Sequence, residues 1–158
     1  MKFFTIGVYG STEQEFFQKL IDNNIDTFCD IRQRRGVRGS KYAFVNSNKL
    51  QQRLNELNIK YTHIIDLAPT KEIRELQKDA DAKEGILKRD RNKLGKVFTI
   101  AYKNLILNNF DFDAFLEKLN EAGASNIVLF CVEEKPAACH RSIVSDKIEK
   151  LGYKIEHL

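Results

Sequence analysis

The sequence predicts an α/β fold: one domain over residues 1–158, with a mostly parallel sheet flanked by helices in three layers. Segments that alternate like strands and segments with helical periodicity follow one another along the whole chain. Residues 127–130, Ile-Val-Leu-Phe, form the short continuous apolar run that is typical of a buried parallel strand. A length of 158 residues fits one domain and is too short for two comfortable ones.

The first strand, helix and strand occupy the N-terminal fifth of the chain. Residues 2–8 alternate and are rich in β-forming side chains, which predicts a strand. Ser11 or Thr12 can cap the helix predicted over 13–23, whose apolar side chains fall on one face. Residues 25–31 are the second strand. A strand, a helix and a strand in so few residues predict a right-handed parallel unit.

The middle of the chain is less regular. Residues 32–46 contain two glycines and no clear period, so they are predicted to form a loop, and long ordered loops are often functional. A helix capped by Asn46 or Ser47 follows, and residues 59–65 alternate as a third strand. Residues 69–95 are highly charged and predict two helical pieces with few core side chains.

The C-terminal third returns to clear patterns. The predicted elements are helices over 97–107 and 112–122, a buried strand over 126–131, a helix from Cys139 or Arg141 to Leu151, and an edge strand over 153–157.

Composition excludes several classes of protein. The chain is 42% hydrophobic and 30% charged, the balance of a globular protein and not of a disordered one. No apolar run approaches the roughly 20 residues of a membrane helix, and the N-terminus lacks a signal-peptide cleavage pattern. We therefore expect a cytoplasmic protein without a membrane partner. Its cysteines, Cys29, Cys131 and Cys139, are then expected to be thiols, with Cys29 in the core.

Polar or reactive side chains follow four of the predicted strands. In an open parallel sheet, ligands bind outside the carboxyl ends of the strands, so these side chains are expected to converge on one edge. In chain order they are Tyr9, then Asp30 and Arg32, then His63 and Asp66, and finally Cys131 and Glu133.

The predicted loop after the second strand is strongly basic. The formal net charge of +4 is small, but five cations crowd one short segment: Arg32, Arg34, Arg35, Arg38 and Lys41. Such a density attracts phosphates or other anions. Tyr42 and Phe44 add aromatic rings that can stack on bases, which favours a nucleic-acid or nucleotide surface over a merely solvated loop.

The segment from Cys131 to Ser142 is the strongest local feature, because it joins an apolar strand to the start of a helix. Unpaired N–H groups at a helix start attract anions, and Arg141 and a protonated His140 would strengthen that site. The same field would lower the pKa of the Cys139 thiol. The alternative is a small buried cysteine with local capping by its neighbours.

Other chemistries fit the same residues less well. The spacing from Cys131 or Cys139 to Arg141 is not that of a phosphatase or rhodanese loop. A zinc site from Cys131, Cys139 and His140 has suitable ligand types but lacks a Cys-x-x-Cys pair.

The residues also resemble a known family, the domain-of-unknown-function family numbered 488. The resemblance rests on Thr5-Ile6-Gly7 with Tyr9-Gly10, Asp30-Ile31-Arg32, Tyr61-Thr62-His63, Cys131-x-Glu133 and Cys139-His140-Arg141. After His63 the chain has Ile-Ile-Asp-Leu-Ala-Pro where family members often carry a glycine-bearing turn. The resemblance implies a compact α/β fold and a site drawing on Asp30, Arg32, Cys131, Glu133, Cys139, His140 and Arg141. It implies no substrate and no cofactor.

The leading hypothesis is an enzyme acting on a phosphate-bearing substrate, such as a nucleotide or nucleic acid. Arg32, Arg38 and Arg141, with Tyr9, would hold the anion. Asp30 or Glu133 would be the general base, and His140 the general acid or an electrostatic helper, with Cys139 as an alternative nucleophile.

Several alternatives stay open at the level of sequence. Asp30 can equally be the salt-bridge partner of Arg32 or a metal ligand, and His63 a structural histidine. The protein can be a non-catalytic module that binds nucleic acid or a nucleotide, or a metal or redox sensor that uses Cys131 and Cys139. Cofactor and oligomeric state are not indicated.

Overall fold

The computed structural model describes residues 1–87 and 91–158. Within them, five parallel strands form one sheet in the order β3-β2-β4-β1-β5. The strands are β1 (Lys2–Ile6), β2 (Thr27–Asp30), β3 (Lys60–His63), β4 (Asn126–Phe130) and β5 (Ile155–His157). The predicted α/β class and the edge position of the last strand are confirmed.

Six α-helices connect the strands in the described part of the chain. They are α1 (Glu13–Asp22), α2 (Ser47–Glu56), α3 (Lys71–Glu84), α4 (Lys96–Leu105), α5 (Phe112–Glu121) and α6 (His140–Lys150). Thr12 begins α1 with a reciprocal capping box to Glu15, as the sequence predicted. Among the described residues, none of these helices has the length and apolar character needed to cross a membrane.

The charged middle of the chain differs from the prediction. In the described part of 69–95, one helix, α3, is present instead of two pieces. The side chain of Thr70 caps its start, and Gly85, with a φ of 66°, ends it. No glycine or proline lies between these two residues, so the helix is continuous. The range of this prediction includes residues 88–90, which lie outside the described residues.

The central strands β1, β2 and β4 are buried on both faces. Their successive residues point to opposite sides of the sheet, and each side packs against helices. On one side, Phe3, Cys29 and Leu129 pack with side chains of α3 to α6. On the other side, Phe28 and Phe130 pack with α1 and α2, chiefly through Phe16, Phe17, Leu50 and Leu54. These two apolar cores give the predicted three layers.

The carboxyl ends of β1, β2 and β4 are held in register at one edge. Ile6 and Asp30 both pair with Phe130, the last residue of β4. Beyond β1, the backbone N–H groups of Val8 and Tyr9 both donate to the carbonyl oxygen of Val132, at 3.2 and 3.0 Å. The loops that leave these strands therefore begin side by side.

Candidate functional site

A cavity of about 930 Å³ opens at the carboxyl edge of the sheet, and we call it the edge cavity. Its walls come from the loop after β2, from α3 and the residues that follow it, from the residues after β4, and from the start of α6. Its cationic side chains are Arg32, Arg34, Arg38, Arg74, Lys78 and Arg91, whereas its acidic side chains are Asp81 and Glu133. This excess of positive charge favours anionic ligands.

Arg32 is fixed rigidly at the base of this cavity. Its Nε donates to Asp30 Oδ1 at 2.8 Å, and its Nη2 donates to Asp30 Oδ2 at 2.7 Å. Nη2 also donates to the Val45 carbonyl at 3.0 Å, and the guanidinium carbon lies 4.5 Å from the centre of the Phe130 ring. Arg32 is 3% exposed and Asp30 is fully buried, so this is a buried bidentate ion pair.

Asp30 has no oxygen lone pair left for another task. Besides the two side-chain bonds from Arg32, it accepts the Arg32 backbone N–H at 3.1 Å and the Tyr61 hydroxyl at 2.9 Å. A carboxylate offers about four acceptor positions. Asp30 is also absent from the cavity lining. This placement favours the salt-bridge interpretation of Asp30 over a role as general base or metal ligand.

Two guanidinium nitrogens of cavity-lining residues are buried without a hydrogen-bond partner in the described part of the chain. They are Arg32 Nη1 and Arg74 Nε. Leaving a buried donor unsatisfied costs about 1–3 kcal/mol. Acceptor oxygens of a ligand that come within hydrogen-bond distance of these nitrogens would remove that cost.

Arg91 ties α3 to the loop between β4 and α6. Its Nη1 donates to Asp81 at 2.9 Å, and its Nη2 contacts Glu133 Oε1 at 3.4 Å and the Ala138 carbonyl at 3.1 Å. Arg91 thus forms ion pairs with both acidic side chains of the cavity, Asp81 and Glu133. The remaining cavity cations form no ion pair with another described residue: Arg34, Arg38, Arg74 and Lys78.

Two thiols and an imidazole meet where β4 ends and α6 begins. Cys131 Sγ and Cys139 Sγ lie 3.9 and 3.7 Å from His140 Nδ1. All three of these atoms lie within 4.8 Å of one another, and all three residues line the edge cavity. The other ring nitrogen, His140 Nε2, lies 2.9 Å from the Ile31 carbonyl oxygen. We call this group the thiol–imidazole cluster.

The two thiols of this cluster differ in acidity. Burial acts to raise the pKa of Cys139, but the hydrogen bond from Cys131 and the charges of His140 and Arg141 outweigh burial and hold that pKa well below its ordinary value. The hydrogen bond to Cys139 and burial instead raise the pKa of Cys131 well above its ordinary value. Cys139 is therefore the more acidic thiol of the pair.

Arg141 occupies a position behind the cavity wall. It is 1% exposed and is absent from the cavity lining. Its Nη1 donates to the Glu133 carbonyl, and its Nη2 donates to the Glu134 carbonyl at 2.7 Å. This guanidinium thus holds the loop after β4, and its charge acts to lower the pKa values of the Cys131 and Cys139 thiols in the cavity wall.

The sequence profile of the family described as Domain of unknown function DUF488 matches residues 12–148. The chain belongs to the DUF488 family. No curated protein and no solved structure matches it.

Most of the site residues predicted for this DUF488 protein lie at the edge cavity. Those that line it are Tyr9, Arg32, Arg38, Cys131, Glu133, Cys139 and His140. Asp30 and Arg141 contact residues of the lining from behind. Distant parts of the chain meet here because β1 and β2 both pair with β4, so their carboxyl ends lie at one edge.

The end of β3 contributes less than the sequence suggested. His63 Nε2 lies 2.8 Å from the Arg32 carbonyl oxygen, so His63 holds the backbone of Arg32 and does not line the cavity. Asp66 is exposed and also lies outside the lining. The segment that departs from the family pattern forms a short turn over Ile65–Leu67, and Pro69 after it reaches the cavity wall.

Sequence reasoning missed the wall that α3 contributes. Arg74, Gln77, Lys78 and Asp81 line the cavity from this helix, and Arg91 joins them from beyond it. Gln77 and Asp81 are buried although polar, and Gln77 donates to Asp81 at 2.7 Å. The available signal was the spacing of Ile73, Gln77 and Asp81, which places two polar residues on the apolar face of one helix.

We expect alkaline pH to destabilise this DUF488 protein through two groups at the sheet. Burial, with the nearby Asp30 charge, raises the pKa of Cys29 from its ordinary 9.0 to about 12. Burial and Asp30 likewise raise the pKa of Tyr61 from 10.0 to about 12. Since both pKa values are higher in the folded chain, stability is intact below pH 9 and falls as the pH rises towards 12. Urea unfolding at a series of pH values measures this loss.

The Tyr61→Phe variant isolates the tyrosine contribution. It lacks the ionising phenol, so its stability should fall less steeply than that of the wild type above pH 10. At neutral pH it should be less stable because Asp30 loses a hydrogen bond. Identical pH slopes for both proteins would contradict the assignment.

Proposed function

We propose that the edge cavity binds a phosphate-bearing organic molecule of nucleotide size and that the protein is an enzyme acting on it. The observation that carries this proposal is that Arg32 Nη1 and Arg74 Nε are buried without a hydrogen-bond partner among the described residues, in side chains that line a cavity with an excess of cations. Phosphate oxygens are strong acceptors that suit guanidinium donors.

The anchoring of Arg32 supports recognition of an anion over a purely structural role. Asp30 and Val45 occupy Nε and Nη2 and fix the plane of the guanidinium, which leaves Nη1 as its remaining donor. A donor held in this way loses little side-chain entropy when a ligand binds. Arg38 and Lys78, which have no ion-pair partner among the described residues, add a longer-range attraction.

The remaining walls suit the organic part of such a molecule. Tyr9, Val37, Ile86, Leu87 and Phe98 supply aromatic and aliphatic surface around the cations. A volume of about 930 Å³ matches the few hundred to about 1,000 Å³ of pockets that enclose small ligands. An enclosed ligand of this size is favoured over a long nucleic-acid strand.

The reaction would take place at the thiol–imidazole cluster and Glu133, which share the cavity with the cations. Glu133 is a cavity carboxylate in the loop after β4 and is a candidate general base. The predicted general base Asp30 and the predicted anion ligand Arg141 take positioning roles in this proposal, since one holds Arg32 and the other holds the loop that carries Glu133.

Binding of inorganic phosphate and of nucleoside monophosphates, measured by calorimetry, tests the anion site. We expect Arg74→Gln to weaken binding about 10- to 100-fold, the equivalent of one charge-assisted hydrogen bond. Arg53→Gln is the matched control, because Arg53 is an exposed arginine on α2 that pairs with Glu56 outside the cavity. Equal losses in both variants, or no loss in Arg74→Gln, would refute the site.

A second measurement separates the enzyme from the non-catalytic module. Turnover of a panel of phosphate esters, with a loss of rate in Glu133→Gln, is expected of an enzyme. Tight oligonucleotide binding with a steep salt dependence and no turnover would instead assign the basic loop a nucleic-acid-binding role.

A further inference from the structure

We propose that Cys131, Cys139 and His140 bind a zinc ion at the floor of the edge cavity, with the fourth coordination position left for a molecule in the cavity. The site goes beyond the proposed anion function and does not depend on it. It adds a metal with three protein ligands, the pattern of zinc sites that take part in catalysis.

The two sulfur-to-nitrogen distances are close to those of tetrahedral zinc coordination. Bond lengths of about 2.3 Å for Zn–S and about 2.0–2.1 Å for Zn–N place a sulfur and a nitrogen ligand roughly 3.6 Å apart. The two sulfur-to-Nδ1 distances here are 3.9 and 3.7 Å. All pairs of ligand atoms lie within 4.8 Å, so one ion can reach all three.

The histidine is oriented as a metal ligand. The Ile31 carbonyl can only accept, so His140 Nε2, 2.9 Å from it, carries the proton. In the neutral imidazole, Nδ1 then carries the lone pair and points at the two sulfurs. Metal-binding histidines usually donate their second N–H to a carbonyl or carboxylate in this way, which fixes the ring and its tautomer.

The surroundings suit two metal-bound thiolates. Cys131, Cys139 and His140 are 7%, 2% and 5% exposed, so bulk water competes little for the ion. On binding, the two thiols release their protons to solvent, and two thiolates neutralise the charge of Zn²⁺. Arg141 and the start of α6 add positive charge beside Cys139, which stabilises its thiolate.

A zinc ion here would supply Lewis-acid chemistry beside the cavity cations. The three ligand residues share the cavity with Arg32 and Arg74, the residues of the two unpartnered donors. An open coordination position can polarise a phosphate oxygen or lower the pKa of a bound water. Thiolate and imidazole ligands select zinc over magnesium, which prefers oxygen ligands.

The test uses the full chain without an affinity tag, reduced by a phosphine and titrated with Co²⁺ in the absence of oxygen. We expect tetrahedral visible bands and a thiolate-to-cobalt charge-transfer band that saturate at one equivalent and disappear on addition of one equivalent of Zn²⁺. The Cys29→Ser variant is the control, because Cys29 is a buried thiol outside the cluster, and its spectrum should match the wild type.

Cys131→Ser and Cys139→Ser should each weaken the charge-transfer band. Each should also lower zinc affinity by more than about 100-fold, because loss of a residue that only supports a metal ligand already costs about 10- to 100-fold. Absence of the bands from the reduced wild type would overturn the proposal, as would unchanged bands in both variants. Formation of a Cys131–Cys139 disulfide in air, with no metal bound by the reduced protein, would also overturn it in favour of a redox role.

Failure of this site and failure of the anion site are distinguishable. Arg74→Gln should lose phosphate binding while keeping the cobalt spectrum. A wild type that binds phosphate but no metal refutes the zinc site alone, and one that binds metal but no phosphate refutes the anion site alone.

Discussion

Asp30→Asn should lower the free energy of unfolding by about 3–5 kcal/mol, the range for breaking a buried ion pair. The amide preserves the volume of the side chain but removes the negative charge that faces Arg32. Because Arg32 is 3% exposed, its guanidinium can reach solvent only if the loop moves. Two of the bonds that Asp30 accepts come from the Arg32 side chain. Urea unfolding at neutral pH measures the effect.

Two comparisons show whether the effect belongs to the ion pair. Glu56→Gln removes a carboxylate from the exposed pair with Arg53 and should leave the stability nearly unchanged. The double variant Asp30→Leu/Arg32→Met removes both charges and should be more stable than Asp30→Asn. An Asp30→Asn protein as stable as the wild type would contradict the rigid anchoring of Arg32.

Gly7→Ala should be the other strongly destabilising substitution. A Cβ at this position would lie 2.0 Å from the Glu133 carbonyl oxygen, so the end of β1 or the loop after β4 must move. Overpacking of this kind costs about 1–3 kcal/mol and can cost more. The movement would displace Glu133, the proposed general base, so any turnover of phosphate esters should fall together with stability.

Gly36→Ala is the matched control for this prediction. Gly36 lines the edge cavity, and its added Cβ would meet only Asn46 Oδ1, at 3.7 Å. Thermal unfolding of both variants should therefore show a large loss for Gly7→Ala and little change for Gly36→Ala. Equal melting temperatures would contradict the close approach at Gly7.

The sheet and most helices could be predicted because their signals are local. The apolar run of β4 and the capping residue Thr12 need no knowledge of the rest of the chain. The α3 wall could not be predicted in the same way. Buried Gln77 and Asp81 are stabilised by hydrogen bonds to each other, to the Gly95 backbone and to Arg91, and these partners are known only from the tertiary structure.

The location of the candidate site followed from topology, but the roles of its residues did not. Parallel strands end at the same edge, which brings Tyr9, Arg32 and Cys131 to one cavity. Whether a charged side chain faces that cavity or the protein behind it depends on its torsion angles and on its neighbours in the fold, and the residue type specifies neither. Asp30 and Arg141 are examples, since both have the chemistry of a site residue and both bind protein groups instead.

A crystal structure of the protein soaked with tungstate, an electron-dense analogue of phosphate, tests the central claim most directly. We expect tungstate inside the edge cavity, within hydrogen-bond distance of Arg32 Nη1 or Arg74 Nε, the buried nitrogens of cavity-lining residues that lack a hydrogen-bond partner among the described residues. Tungstate bound only at exposed lysines, with no density in the cavity, would contradict it.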